Sequence, residues 1–126
     1  MMHKISGRVI RGEGYGQKLG FPTANLERRS FSRIKQNIKL GVYAGFAEFE
    51  LQGTSYNLPA GIVIGPIDKK GLPKIEAHII GFNGNLYGKI LSIYLNIYLR
   101  PFKKYTTEED LKKQIEQDVD KIKRIL

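Results

Sequence analysis

The sequence predicts an all-β domain: a closed or nearly closed antiparallel barrel followed by one C-terminal helix. Short segments of alternating apolar and polar residues dominate positions 1–100, and glycine, proline and asparagine separate them. After position 105 the apolar residues recur at intervals of three and four, which is the spacing of a helix. A chain of 126 residues suits one domain with one core.

Six segments account for the predicted barrel. The clearest is 89–99, in which Leu91, Ile93 and Leu95 alternate with polar residues, and an Asn-Gly turn precedes it. Residues 27–40 are basic and polar and predict a surface connection, whereas the glycine, prolines and charges of 65–73 predict a loop. The other strand or extended segments are 1–11, 21–26, 41–51, 56–64 and 74–82.

The C-terminal segment predicts an amphipathic helix over about residues 107–125, after a barrel over about 1–105. Thr106 with Glu109 fits a capping box, and the acidic residues of the first turn suit the helix dipole. One apolar stripe is expected to pack against the barrel, and it consists of Leu111, Ile115, Val119, Ile122 and Leu126.

Composition excludes several kinds of site. The chain has no cysteine and only two histidines, so disulfides, thiol nucleophiles and a histidine-based zinc site are not expected. No apolar run approaches the ~20 residues that cross a bilayer, and no signal-like segment is visible, so we expect a cytoplasmic protein without a membrane partner. The net charge of +9 is compatible with polyanionic partners, although the charge alone favours a solvated basic surface.

A glycine-rich loop, residues 12–20, contains Gly12, Gly14, Gly16, Lys18 and Gly20. It matches neither the dinucleotide-binding fingerprint nor the Walker pattern. Glycines nevertheless let backbone N–H groups approach a phosphate closely, and a lysine adds positive charge. From the residues alone, a phosphate cradle and a flexible hairpin loop are equally good interpretations.

Thr23 and Asn25 follow this loop and form a candidate metal pair. Pro22 favours an extended backbone before it, so Thr23 and Asn25 would point to the same side. A hydroxyl and an amide carbonyl are hard, neutral oxygen ligands that suit Mg²⁺ when nucleotide phosphates supply the negative charge. Spacing alone favours the alternative, a turn in which both side chains bond the local backbone.

Glu76 is a carboxylate within an apolar strand pattern. Alternation places Glu76 on the face opposite to Ile75 and Ala77. Such a residue either faces water at the mouth of the barrel or is held for chemistry, and the pattern leaves both possibilities open. His78, on the same face, is expected to be structural.

Together these motifs resemble those of the riboflavin kinases. The opening block of that family is similar to two segments of this sequence, Gly7-x-Val9-x-x-Gly12-x-Gly14 and then Leu19-Gly20-Phe21-Pro22-Thr23-Ala24-Asn25-Leu26. The later blocks continue in order as Gly41-Val42-Tyr43-Ala44, Glu76-Ala77-His78, Leu86-Tyr87-Gly88 and Leu99-Arg100, and then as the helix with Gln114-Ile115 and Asp118. The resemblance covers nearly the whole chain, 1–126. It implies a six-stranded antiparallel Greek-key barrel with a C-terminal helix.

The resemblance also implies an activity, the transfer of the ATP γ-phosphate to the 5′-hydroxyl of riboflavin, giving FMN and ADP. Thr23 and Asn25 would ligate Mg²⁺, and Glu76 would be the general base. The nucleotide would be bound by the glycine-rich loop (Gly12, Gly14, Gly16, Lys18, Gly20) together with Pro22 and Thr23. Arg100 and Phe102 would lie in a flap beside the flavin. A monomer that stops at FMN is expected.

Three segments depart from the family pattern, at Tyr15-Gly16-Gln17, at Gly65-Pro66-Ile67-Asp68 and at Phe102. They leave open a relative that binds flavin or nucleotide without efficient catalysis. A second alternative is a basic barrel that binds nucleic acid through tyrosines on one face, although strand tyrosines more often pack. The candidates for such stacking are Tyr43, Tyr56, Tyr94 and Tyr98.

Overall fold

The computed structural model describes residues 3–12, 18–34 and 37–126 of the chain. Within these ranges it contains six strands, one 3-10 helix at Arg28–Arg33 and one long α-helix, α1, at Glu108–Ile125. The strands are β1 (His3–Ile10), β2 (Ala24–Leu26), β3 (Gly41–Leu51), β4 (Thr54–Ile67), β5 (Pro73–Ile79) and β6 (Ile90–Arg100).

The six strands close into one antiparallel barrel in the order β1-β2-β5-β4-β3-β6. The connections β2–β3 and β5–β6 skip neighbouring positions, as Greek-key connections do. Closure gives every strand a paired neighbour on both sides, which limits the open sheet edge available for aggregation. The predicted fold class, a six-stranded antiparallel barrel with one C-terminal helix, is therefore confirmed.

The barrel core is made of aliphatic side chains that alternate along the strands. On β5, Ile75, Ala77 and Ile79 are buried, whereas Glu76 and the other outward residues are half-buried. Strand alternation alone produces this division. Each fully buried isoleucine contributes about 1.5–3 kcal/mol through removal of its apolar surface from water. The inner surface includes Ile5, Ile62, Ile64, Leu91, Ile93 and Leu95.

The loop prediction for 65–73 was wrong at both ends. β4 continues through Gly65-Pro66 to Ile67, which pairs with Pro73 of β5. The pairing is irregular between Ile64 and Ile67, so the sheet accommodates the proline there and then resumes. A shorter loop remains, and the Asp68 carboxylate accepts hydrogen bonds from the backbone N–H groups of residues 70 and 72.

The helix begins one residue later than its capping signal suggested. Thr107, not Thr106, is the N-cap, and its side-chain oxygen accepts from the backbone N–H of Asp110 at 3.1 Å. The three acidic residues of the first turn occupy the positive end of the helix dipole. Within the described ranges, no helix combines the length and the apolarity that a membrane span requires.

The apolar stripe of α1 faces the outside of the barrel wall. Ile122 is fully buried, and a side-chain carbon at Gly61 of β4 would lie 3.1 Å from its Cδ1 atom. Glycine at position 61 therefore lets the helix approach the sheet closely. Leu126, predicted as part of the stripe, is 37% exposed because it lies beyond the last helical residue.

Ile122→Ala is expected to lower the free energy of unfolding by about 2–5 kcal/mol, because it opens a cavity where the helix meets the sheet. Urea denaturation followed by circular dichroism measures the change. Ile125→Ala is the matched control, since Ile125 lies in the same helix but is 42% exposed. It should change stability by about 0.5 kcal/mol or less, and equal losses in the two variants would contradict this view of the packing.

Candidate active site

A cavity of about 230 Å³ lies between the outer face of the barrel and α1. Its barrel wall is formed by outward-facing residues of β2, β4 and β5 and by the segment that precedes β2. The opposite wall is formed by the helix stripe and by the segment between β6 and α1. Most of the wall is apolar, including Leu19, Phe21, Val63, Leu111, Ile115 and Val119.

The strand register brings Asn25 and Glu76 together. Asn25 of β2 is directly opposite Glu76 of β5, and Val63 of β4 is opposite Glu76 on the other side. Directly paired residues of adjacent strands share one face of the sheet. The amide and the carboxylate therefore stand side by side in the cavity wall, and Asn25 is only 8% exposed.

Two neighbours contact one oxygen of Glu76. The hydroxyl of Thr23 donates to Oε2 across 3.4 Å, and Nζ of Lys74 lies 3.5 Å from the same oxygen. The Glu76 side chain is 23% exposed, so it is partly shielded from water. An ionised carboxylate in this setting is an acceptor that faces the cavity.

The backbone at Gly12 lies directly against Asn25. A side-chain carbon at position 12 would come within 2.2 Å of Asn25 Nδ2, so residue 12 must be glycine while the asparagine keeps its place. At Gly20 the backbone has φ of +89°, a conformation that favours glycine. The predicted nucleotide-binding residues Gly14 and Gly16, and the departure at Tyr15, lie outside the described residues.

Of the remaining predicted nucleotide residues, Thr23 lines this cavity, Pro22 contacts a residue that lines it, and Lys18 contacts helix α1. Lys18 forms an ion pair of 3.1 Å with Glu108 at the start of α1, which joins the end of the glycine-rich loop to the helix. The carbonyl of Pro22 accepts a hydrogen bond from Nδ1 of His78 at 2.8 Å, and the Phe21 ring meets the His78 ring edge-on. His78 thus anchors the segment before Thr23, in keeping with the expected structural role.

Arg100 is held by the helix. Its Nη2 and Nε atoms donate to the two oxygens of Asp118 at 2.7 and 3.1 Å, and Gln114 donates to the same carboxylate. Burial alone would lower the pKa of Arg100, but the hydrogen bonds and charge of Asp118 outweigh burial and raise it. The guanidinium stays charged and connects the end of β6 to α1.

Phe102 and Tyr105 lie in the segment between β6 and α1 and line the same cavity. Phe102 lines the cavity but is 42% exposed, so its ring is at the mouth. Burial raises the pKa of Tyr105. The positive charge of Arg100 lowers this pKa in part, and the negative charge of Asp118 raises it further. The Tyr105 hydroxyl is buried and has no hydrogen-bond partner among the residues that the structure describes.

A second cavity, of about 330 Å³, lies on the other side of Thr23. Its lining is more polar, and it includes Pro22, Thr23, Ala24 and the turn residues 82–87. Thr23 borders both cavities. A ligand in one cavity and a ligand in the other would therefore meet near Thr23.

The side chains that the structure describes do not form a complete set of metal ligands on their own. Among the described residues no group of three or more His, Cys, Asp or Glu side chains could hold an ion. Thr23 and Asn25 offer neutral oxygens, and in the described part of the chain the carboxylate beside them is that of Glu76. Such a site fits a divalent cation that arrives with anionic phosphates, and it does not fit a metal bound permanently by side chains.

Sequence analysis did not identify Lys74 as a site residue, and it named Asp118 only within the family motif, without a role. Lys74 stands two positions before Glu76 on the same strand, so strand alternation could have identified it as a neighbour. Asp118 adjoins Val119 of the apolar stripe, and a carboxylate at that place was a signal of a buried partner. The helix pattern could not identify Arg100 as the partner of Asp118, because the two side chains meet only when α1 folds back onto the barrel.

Comparison with known proteins identifies the family. The model of the family described as Flavokinase, riboflavin kinase, matches residues 1–126. The chain belongs to the riboflavin kinase family. It is 34% identical over 122 residues to the human protein named riboflavin kinase, and this match covers 95% of the chain and 78% of the human protein.

Other members of the family are similar to a comparable degree. The bifunctional riboflavin kinase/FMN adenylyltransferase of Haemophilus influenzae is also 34% identical over 122 residues, and the chain spans 38% of its length. The crystal structure of riboflavin kinase from Trypanosoma brucei matches with a TM-score of 0.73 and 21% identity, covering 99% of the chain and 77% of that protein. That structural match shows that the two proteins share a fold.

Proposed function

We infer that the chain is a riboflavin kinase that transfers the γ-phosphate of ATP to the 5′-hydroxyl of riboflavin and releases FMN and ADP. Its membership of the family and its fold support this activity. The observation that carries the assignment of the site is the pairing of Glu76 with Asn25 in one cavity wall, with the Thr23 hydroxyl in contact with the carboxylate.

In the proposed reaction Glu76 is the general base. Its carboxylate accepts the proton of the riboflavin 5′-hydroxyl as the hydroxyl oxygen bonds to the γ-phosphorus. The bond between that phosphorus and the oxygen bridging to the β-phosphate breaks, and ADP leaves with the electron pair. Phosphoryl transfer depends chiefly on positioning and charge neutralisation. A single carboxylate is therefore sufficient as the general base.

Thr23 and Asn25 are the proposed protein ligands of Mg²⁺. Both side chains present neutral oxygens next to the cavity, and a nucleotide would contribute the anionic ones. The cation would neutralise charge on the phosphates when it is bound with ATP. Asn25 is kept in place by the close approach of Gly12, and Thr23 by the anchored Pro22 before it.

The two cavities suit the two substrates. The apolar cavity beneath α1 matches a flavin ring, and the more polar cavity beyond Thr23 matches a nucleotide. Pro22 and Thr23 line the second cavity, and nucleotide contacts from the glycine-rich loop (Gly12, Gly14, Gly16, Lys18 and Gly20) remain predictions. Arg100 frames the flavin cavity through its bond to Asp118, and Phe102 offers an apolar ring at its mouth. A monomer in the cytoplasm also remains a prediction.

The tyrosines give little support to a nucleic-acid interface. Tyr43 is 6% exposed and meets Tyr98 edge-on, and Tyr98 also bonds the Leu40 carbonyl. Tyr56 stacks on Phe49 within the protein. These rings are engaged in packing, so they do not form the free row of stacking platforms that single-stranded nucleic acid requires.

The activity is tested by incubating the purified protein with riboflavin, MgCl₂ and ATP and separating the products by chromatography. FMN and ADP are expected in equal amounts. Replacement of ATP by other nucleoside triphosphates then defines the donor. Riboflavin that stays unchanged with every triphosphate would sink the proposal and favour a relative that only binds ligands.

Glu76→Gln is expected to lower kcat by about a hundredfold or more, because the amide cannot accept the proton, while its similar size preserves the fold. Steady-state kinetics and the melting temperature are measured together. Glu48→Gln is the matched control, since Glu48 is an exposed carboxylate on β3. Full activity of Glu76→Gln would remove this residue from the reaction.

Thr23→Val is expected to raise the Mg²⁺ concentration for half-maximal activity by about tenfold, since it removes one oxygen ligand but keeps the branched shape. Thr23→Ser, which retains the hydroxyl, should need a Mg²⁺ concentration close to that of the wild type. The measurement is turnover against Mg²⁺ at fixed ATP. Equal requirements in Thr23→Val and Thr23→Ser would argue against Thr23 as a ligand.

A further inference from the structure

Lys74 lies beside Glu76 on the outer face of β5. Residues two apart in a strand share a face, and Pro73 and Ile75 on the inner face are buried, so the backbone fixes this arrangement. The Lys74 side chain is 25% exposed and lines the same cavity as Glu76. Its ammonium group is therefore part of the site and not part of the general basic surface.

Both contacts of the Glu76 carboxylate end on one oxygen. The Thr23 hydroxyl lies 3.4 Å and Lys74 Nζ 3.5 Å from Oε2. Among the described residues, no side chain bonds the other oxygen, Oε1. A carboxylate that is held at one oxygen presents the other in a defined direction, which is what a base needs to meet a substrate hydroxyl.

We propose that Lys74 is a positioning residue for phosphoryl transfer: it holds Oε2 of Glu76 so that Oε1 faces the 5′-hydroxyl of riboflavin. This inference rests on the proposed kinase function. Thr23 and Lys74 lie at similar distances from Oε2, but Thr23 offers a single neutral O–H group, whereas Lys74 adds the attraction of a full positive charge.

The charge of Lys74 adds a second reason for this role. ATP brings several negative charges towards the carboxylate, and like charges repel. The ammonium group offsets this repulsion, so the carboxylate keeps its place when the nucleotide binds. A neutral residue at position 74 would leave Glu76 free to turn away from the phosphates. The consequence is a loss of turnover and not a loss of riboflavin binding.

The first test compares Lys74→Met, Lys74→Arg and Lys69→Met with the wild type. Lys74→Met keeps the apolar stem but removes the charge, and kcat should fall about tenfold or more, while KM for riboflavin changes less than about twofold. Lys74→Arg should recover most of the turnover. Lys69→Met removes the same charge from an exposed loop position that lines neither of the two cavities beside Thr23, and should behave as wild type.

The second test is a double-mutant cycle with Glu76→Gln. If Lys74 acts through Glu76, then Lys74→Met should slow the Glu76→Gln protein less than about twofold, because the base is already lost. FMN fluorescence after separation is sensitive enough for these slow variants. Multiplicative losses in the double variant would show that Lys74 acts independently, on the phosphates or on the fold, and would overturn the proposal.

Two further outcomes would also overturn the proposal: a kcat of Lys74→Met within twofold of wild type, or an equal loss in Lys69→Met. A wild-type protein without any FMN formation would overturn the proposed function and this inference with it. If the wild type turns over normally but a variant gives one of these contrary results, the role of Lys74 is overturned and the proposed kinase function is not. The two failures are thus distinguished by the wild-type reaction in the same experiment.

Discussion

The site depends on the register in which the three-residue strand β2 pairs with β5. That register places Asn25 opposite Glu76 and Leu26 opposite Ile75. Leu26 and Ile75 are buried inside the barrel, so the apolar core holds the register. A slip of one residue would turn Asn25 inwards and Leu26 outwards, exchanging a polar side chain for a leucine in the cavity wall. The core packing of a very short strand therefore determines the chemistry on its outer face.

The helix creates a cavity that the barrel alone would lack. Outer faces of a closed barrel are convex, and a cavity forms here because α1 and the segment after β6 stand over one part of the wall. The bidentate pair of Arg100 with Asp118 and the close packing of Ile122 on Gly61 hold this cover in place. The same apolar stripe supports the helix and lines the cavity, so the stability of the helix and the shape of the cavity depend on shared residues.

The fold was predictable from the alternation of apolar and polar residues in the strands and from the helical spacing of apolar residues after position 105. The Pro22-Thr23-Ala24-Asn25 segment and Glu76 indicated the candidate site. The structure brings Thr23, Asn25 and Glu76 together as expected. Local rules could not choose between Thr106 and Thr107 as the cap, because both have an acidic residue three positions later. Nor could they extend β4 through Gly65-Pro66, since that continuation depends on pairing between Ile67 and Pro73. The contact of Lys74 with Glu76 likewise required side-chain placement.

The close approach of Gly12 to Asn25 links two positions in evolution. The φ angle of Gly12 is not in the left-handed region that favours glycine, so its own backbone does not demand the residue; the neighbouring amide does. As long as asparagine occupies position 25, even alanine at position 12 would displace it. A lineage could enlarge residue 12 only after, or together with, a smaller residue at 25. Substitution at these two sites is thus expected to be correlated across descendants, although 12 residues lie between them in the sequence.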